Sequence, residues 1–213
     1  MNSRQVIVLG LVGVAVVAAL AAGGYLVSES WEDSANGQTW APTLAAAEQA
    51  NGIPSGLLSR IAYQESSFST NVINGTEPSS AGALGIMQLE PEYFSSVQVP
   101  TPFTAADTTA QINQAAAFLA GLYASFGNWT DAVAAYNAGE GTIEAVLAGT
   151  ETLPTETANY IADINQSLPN VVAATLQGTS TGSTLTASNG STGATAPASE
   201  TAGNTGATGS TVG

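Results

Sequence analysis

Cysteine, histidine and lysine are all missing from this chain of 213 residues, and arginine occurs only twice. Without cysteine there are no disulfides and no thiolate chemistry, and export is neither required nor excluded. Without histidine the chain lacks the commonest metal ligand and the commonest general base. Two cations against 16 acids give a formal charge of −14. No basic patch can form, which speaks against nucleic acid or an anionic membrane surface as partner. The acidic balance implies a soluble, self-repelling surface and identifies no partner. Any chemistry must rest on carboxylates, hydroxyls and amides, with no metal and no cofactor expected.

What is present falls into regions of different composition. Val6 to Val27 is uncharged and rich in Val, Ala, Leu and Gly, close to the ~20 residues a helix needs to cross a bilayer. Arg4 precedes the run, and Glu29, Glu32 and Asp33 follow it. The basic end should stay in the cytoplasm and the remainder lie outside. Ala19-Leu20-Ala21 has the small-x-small form of a signal-peptide cleavage site. The n-region carries a single basic side chain, however, and the apolar run continues through Tyr25-Leu26-Val27, which favours a retained anchor. Residues 1–28 are therefore read as a transmembrane anchor or signal peptide, and 29–40 as a polar linker. Residues 41–177 form the domain. Residues 178–213 are a Thr/Ser/Gly/Ala tail with one charge, Glu200, and almost no large apolar side chain. Such a tail cannot bury enough surface to offset ordering and is expected to be disordered.

Within the domain the apolar spacing is helical almost throughout, and the fold class is mainly α: a cluster of short helices. Helices are predicted over Thr43 to Ala50 after Pro42, Pro54 to Glu65, Ala110 to Phe126, from Thr130 towards Ala138, Thr142 to Leu147, and Glu156 to Leu168. The long one carries a stripe of Ile112, Ala115, Ala116, Leu119, Leu122, Tyr123 and Phe126. Thr130 is placed as the cap of the next helix. No alternating strand pattern appears, and Pro and Gly punctuate the joints.

The second predicted helix carries the residue of most interest. Leu58, Ile61, Ala62 and Glu65 are spaced i, i+3, i+4, i+7 and share one face. Three are apolar, so that face points to the core and takes Glu65 with it. A carboxyl held among apolar groups has its ionised form disfavoured and can keep a proton near neutral pH. It then suits a general acid. The plainer reading is a carboxylate that pairs with a donor. Arg60, the only cation beyond the N-terminal segment, lies five residues back at a helical angle well away from it.

Four segments contain polar or glycine residues that helix formation does not require: Glu65-Ser66-Ser67-Phe68, Gly82-Ala83-Leu84-Gly85-Ile86-Met87-Gln88, Ala135-Tyr136-Asn137-Ala138-Gly139, and Leu153-Pro154-Thr155-Glu156-Thr157-Ala158-Asn159-Tyr160. In this order and spacing they resemble the lytic transglycosylase domain of the soluble (SLT) type, a lysozyme-like fold that cleaves peptidoglycan. The resemblance spans roughly Thr43 to Leu168. It implies that Glu65 is the single catalytic acid and base. It also implies that Ser80, Gly85, Met87, Gln88, Tyr136 and Asn137 line a glycan groove, that Glu156 is a second carboxylate near the reacting sugar, and that Tyr160 is part of the same wall. Plainer readings stand beside these. Met87 and Tyr160 also fit a core, and Gly82 and Gly85 a turn. Asn137-Ala138-Gly139 fits a helix C-cap, and Glu156 a helix start, where acids are favoured anyway. Ile86 replaces the family's more usual Leu, Glu90 an apolar residue before Pro91, and Asp163 a common basic residue. The loop Thr70 to Ser79 is longer than usual.

A glycosidase usually needs two carboxylates. The resembled family needs one proton carrier, because the substrate's N-acetyl group assists and its own C6 hydroxyl closes a 1,6-anhydro ring. The expected activity is cleavage of the MurNAc-GlcNAc β-1,4 bond. The expected partners are peptidoglycan glycan strands and, through residues 6–27, a membrane. The domain is expected on the outer side, in a cell envelope or on the membrane of a phage particle. The alternatives are a lysozyme-type hydrolase and a non-catalytic peptidoglycan-binding protein of a virion or secretion apparatus.

Overall fold

The computed structural model describes residues 34–178. The expected anchor (1–28) and all but the first residue of the expected tail (178–213) lie outside the described residues. Among the described residues no helix is long and apolar enough to cross a membrane.

Helix α1 spans Ala35–Asn51 and is capped by Ser34, whose hydroxyl accepts from Gly37 N at 3.0 Å. It takes in residues 35–40, expected as linker, and keeps Pro42 in its interior. An interior proline costs a helix a hydrogen bond and about 3 kcal/mol. Tertiary contacts outweigh that here. α1 lies against two other helices, α2 (Leu57–Ser66) and α4 (Ala105–Phe126), and buries Leu44, Ala47 and Glu48. At its start Asn36 Nδ2 donates to Phe68 O at 2.8 Å and Thr70 Oγ1 at 3.0 Å.

α2 begins three residues later than the proline-based expectation. Its N-cap is Gly56, at φ 86°, a left-handed conformation that favours glycine. The exposed amides of the first turn are served from α1. The buried Glu48 carboxylate accepts from Gly56 N (2.9 Å), Leu58 N (2.8 Å) and Ser59 N (3.3 Å). A carboxylate at a helix N-terminus satisfies orphan N–H groups and complements the dipole. The expected inward face of α2 is buried as read: Leu58, Ile61 and Ala62 are 0 % exposed and Glu65 is 1 % exposed.

The stretch that follows holds two short elements not predicted, helix α3 (Thr70–Ile73) and a 3₁₀ turn at Ser95–Val97. Between them a tight loop is closed by a two-residue bridge. Leu84 N donates to Leu89 O at 2.9 Å and Leu89 N to Leu84 O at 3.0 Å. No strand occurs among the described residues.

α4 starts ahead of the predicted Ala110. A reciprocal capping box fixes its first turn: Thr104 N donates to Asp107 Oδ2 at 2.8 Å and Asp107 N to Thr104 Oγ1 at 3.3 Å. Its stripe is buried except for Tyr123, which is 38 % exposed and stacks on Trp129 with ring centroids 4.1 Å apart. α5 (Trp129–Ala138) is capped by Asn128, whose side chain accepts from Asp131 N at 2.9 Å. Thr130, expected as that cap, lies buried in the first turn instead and accepts from Ala173 N at 2.8 Å. α6 (Glu140–Leu147) and α7 (Thr155–Ser167) complete the set.

α5 is the buried centre, with every residue from Thr130 to Ala138 inside. α4, α6 and α7 pack around it, and α7 also lies on α2. One helix, α7, therefore touches both the helix carrying Glu65 and the helix carrying Tyr136 and Asn137.

Candidate active site

Glu65 lies in the last turn of α2 and is buried. Tyr160, from the inner face of α7, donates its hydroxyl to Glu65 Oε1 at 2.6 Å. The other carboxyl oxygen, Oε2, has no hydrogen-bond partner among the described residues. Burial pushes the Glu65 pKa from its ordinary 4.5 up to about 8; the Tyr160 hydrogen bond pulls it back in part, and the Glu156 charge adds to the rise. At neutral pH the group is a carboxylic acid. With Oε1 occupied as acceptor, Oε2 is the atom left to hold the proton. A protonated carboxyl without a competing internal partner is what a general acid requires.

The cation nearby does not neutralise it. Arg60 donates through Nε to Ser167 Oγ (3.2 Å), through Nη1 to Gln64 Oε1 (2.8 Å) and through Nη2 to Asp163 O (3.1 Å). Gln64 Nε2 in turn donates to Asp163 Oδ2 at 3.3 Å. Asp163, expected to depart from a basic residue in this helix, thus belongs to a local network with Arg60 on the α2–α7 seam.

Tyr136 is fully buried on α5, and its hydroxyl donates to Met87 O at 2.9 Å. That bond ties α5 to the 84–89 loop. Burial holds the Tyr136 and Tyr160 phenols well above their ordinary pKa, with ionised Glu65 adding to the rise, so both stay neutral hydroxyls. The Met87 side chain is 0 % exposed and belongs to the hydrophobic core; its carbonyl is the part that meets the site helix. Gln88, also 0 % exposed, sits at φ 46° and donates from Nε2 to Gly85 O at 3.0 Å. Asn137 is 4 % exposed and accepts at Oδ1 from Thr157 Oγ1 at 2.8 Å. Glu156 is half-buried at the start of α7 and acts on Glu65 through its charge. Ser80 is exposed in the turn Ser79–Ala83 that leads into the loop. Glu65, Tyr136, Glu156 and Tyr160 are thus electrostatically or hydrogen-bond coupled, Asn137 is tied to α7 by Thr157, and Ser80 makes no side-chain hydrogen bond to them.

Three residues outside the sequence-based selection hold this arrangement. Glu48 caps α2. Thr157 fixes Asn137. Gln111, 0 % exposed on α4, covers Gly85: a Cβ placed on Gly85 would stand 1.9 Å from Gln111 Oε1. Thr157 stands in the Leu153–Tyr160 motif segment and is visible in the sequence there. Gln111 falls within one turn of the predicted apolar stripe, with no local signal that its amide meets a glycine. Among the described residues no group of acidic side chains could hold a metal ion.

Fold and site together define a helical domain built around one buried, proton-bearing carboxyl. Residues 42–159, more than half of the chain, match the family described as the transglycosylase SLT domain. The chain belongs to that family and carries a lytic transglycosylase domain of the SLT type. Among solved structures it is similar to an inactive Glu-to-Gln mutant of lytic transglycosylase Slt from Pseudomonas aeruginosa, at 26% identity and a TM-score of 0.45, over 70% of this chain and 24% of that one. The chain therefore spans about a quarter of that protein's length.

Proposed function

We propose that this protein is a membrane-anchored peptidoglycan lytic transglycosylase with Glu65 as its only proton carrier. The observation that carries this reading is the state of Glu65: buried, protonated at neutral pH, held through Oε1 by Tyr160, with Oε2 unpaired. Glu65 gives its proton to the glycosidic oxygen between MurNAc and GlcNAc. The C1–O4 bond breaks and GlcNAc leaves with a new hydroxyl, while the N-acetyl oxygen of the MurNAc supports the electron-poor C1. The Glu65 carboxylate then takes the proton of the C6 hydroxyl, and C6–O closes on C1 as a 1,6-anhydro bond. Glu65 ends protonated, as it began, and no water is consumed.

One buried donor and one nearby charge aid this cycle. Tyr160 stabilises the transient carboxylate, and the half-buried Glu156 favours return of the proton. Of the residues we assign to the strand-binding site, Ser80 is exposed, and Gly85, Met87, Gln88, Tyr136 and Asn137 form the buried wall behind it. The uncharged run 6–27 after Arg4 anchors the chain, with the domain outside the membrane, on a cell envelope or a phage particle.

The test is a zymogram on peptidoglycan with the wild-type chain and Glu65→Gln. Clearing by the wild type and none by the variant supports the reading. Clearing by both removes Glu65 from the mechanism, and clearing by neither makes the domain a binding module.

A further inference from the structure

Two buried polar side chains, Glu65 and Asn137, are each held at one oxygen by the same helix. Tyr160 and Thr157 stand one turn apart on the buried face of α7, about 5 Å along its axis. Tyr160 reaches α2 and occupies Glu65 Oε1 at 2.6 Å. Thr157, 1 % exposed, reaches α5 and donates to Asn137 Oδ1 at 2.8 Å. Each contact takes an acceptor oxygen out of play. What remains is Glu65 Oε2, buried with no hydrogen-bond partner among the described residues, and the amide end of Asn137 that Thr157 does not engage.

An asparagine amide has an acceptor end and a donor end, and only its hydrogen-bond partners decide which faces a given direction. With Oδ1 taken by the Thr157 hydroxyl, the free end is the NH₂. The opposite orientation would present a carbonyl, which meets an acceptor oxygen of a sugar with repulsion. A proton-bearing Oε2 and a free amide NH₂ are both donors, and together they suit a ligand carrying two acceptor oxygens. A glycosidic oxygen with a neighbouring acetamido carbonyl or hydroxyl fits that description.

We infer that Thr157 is a positioning residue for glycan binding: it turns the Asn137 amide so that Nδ2 donates to an acceptor oxygen of the sugar beside the scissile bond. This inference rests on the reading of Glu65 given above. Thr157 touches no substrate; it acts through Asn137. The contact exists in the bound ground state as well as in the transition state, so its loss raises KM more than it lowers kcat.

The experiment is steady-state cleavage of soluble, uncrosslinked glycan strands by the full chain. Thr157→Val keeps the shape and removes the hydroxyl. Thr157→Ser keeps the hydroxyl. A net hydrogen bond of ordinary strength corresponds to roughly 2–10-fold. Thr157→Val is expected to raise KM by roughly that factor with kcat changed less than about twofold, and Thr157→Ser to restore KM. In Asn137→Ala the further change Thr157→Val should add nothing, because its target is gone. An unchanged KM in Thr157→Val, a KM raised equally in Thr157→Ser, or additive effects in the double variant would each overturn the inference. Thr157→Ser decides the matter alone if Thr157→Val does not fold: a wild-type KM supports the inference, and a raised KM with intact folding overturns it. Glu65→Gln measured alongside separates the two readings. Full activity there sinks the mechanism itself, whereas an inactive Glu65→Gln with a wild-type Thr157→Val sinks only the role of Thr157.

Discussion

Tyr160 donates to Glu65 Oε1 across 2.6 Å, although the two residues are 95 positions apart in the chain. The bond favours the ionised form of Glu65 and lowers its pKa, while Glu156 raises it. These opposing influences predict opposite shifts. Activity that needs protonated Glu65 should fall as pH rises through about 8. In Tyr160→Phe the alkaline limb should move to higher pH, and in Glu156→Gln to lower pH. Tyr160→Phe should also lose roughly 2–10-fold in rate, since a single hydrogen bond is removed. pH–rate profiles of the three proteins on soluble glycan strands check this. Limbs that coincide would disconnect both residues from the acid.

Glu65 also sets a stability profile. Its folded pKa of about 8 is above the ordinary 4.5. Its contribution is therefore fully present below pH 4.5 or so and is lost as pH rises through about 8. Glu65→Gln stays neutral at every pH. Relative to wild type it should gain stability progressively across that window, by a few kcal/mol at about 1.4 kcal/mol per pKa unit, and then level off. Urea unfolding of both proteins at a series of pH values measures the gap. A constant gap would mean the carboxyl is already ionised at neutral pH.

Gly85 cannot carry a side chain for two separable reasons. Its φ is 81°, and a Cβ would collide with Gln111 Oε1 at 1.9 Å. Gly85→Ala should cost about 1–3 kcal/mol from the backbone alone, and more from the collision. Adding Gln111→Ala to Gly85→Ala should recover part of the loss, although Gln111→Ala alone is expected to destabilise. Thermal or urea unfolding of the cycle tests the coupling, and strict additivity would show that the amide does not press on the loop.

Glu48 places the helix that carries the acid. Three amides of the first turn of α2 end on its carboxylate. Glu48→Ala should cost on the order of 1–3 kcal/mol, the range for loss of a helix cap and for buried donors left unpaired. Activity of the remaining folded protein should drop as well, because α2 holds Glu65. An unfolding midpoint equal to wild type would contradict this.

Much of the fold was readable along the chain because helix periodicity is local. The inward face Leu58, Ile61, Ala62 and Glu65 follows from spacing alone, and Gly127 and Gly139 end helices where expected. The misreadings share one cause, namely contacts made by distant segments. Pro42 would start a helix by local rules, yet α1 runs through it because α2 and α4 receive its apolar face. Gly56 and not Pro54 begins α2 because Glu48, on another helix, serves its amides. Tyr123 fits the stripe of α4 by spacing, but stacking on Trp129 turns it outward. In the site, the motif segments named most of the participants. Their mutual bonds, Tyr160 to Glu65, Thr157 to Asn137 and Tyr136 to Met87 O, cross between helices and leave no periodic trace.

The most direct test of the central claim is the chemistry of the new chain ends. Peptidoglycan digested in water enriched in heavy oxygen, with wild-type protein and with Glu65→Gln, is analysed by mass spectrometry of the released muropeptides. The account predicts 1,6-anhydro-muramic ends without solvent oxygen from the wild type. It predicts a loss of at least ~10²–10⁴ in their rate of formation with Glu65→Gln. Reducing muramic ends carrying the heavy oxygen would make the enzyme a hydrolase, and anhydro ends formed at the wild-type rate by Glu65→Gln would contradict the role of Glu65.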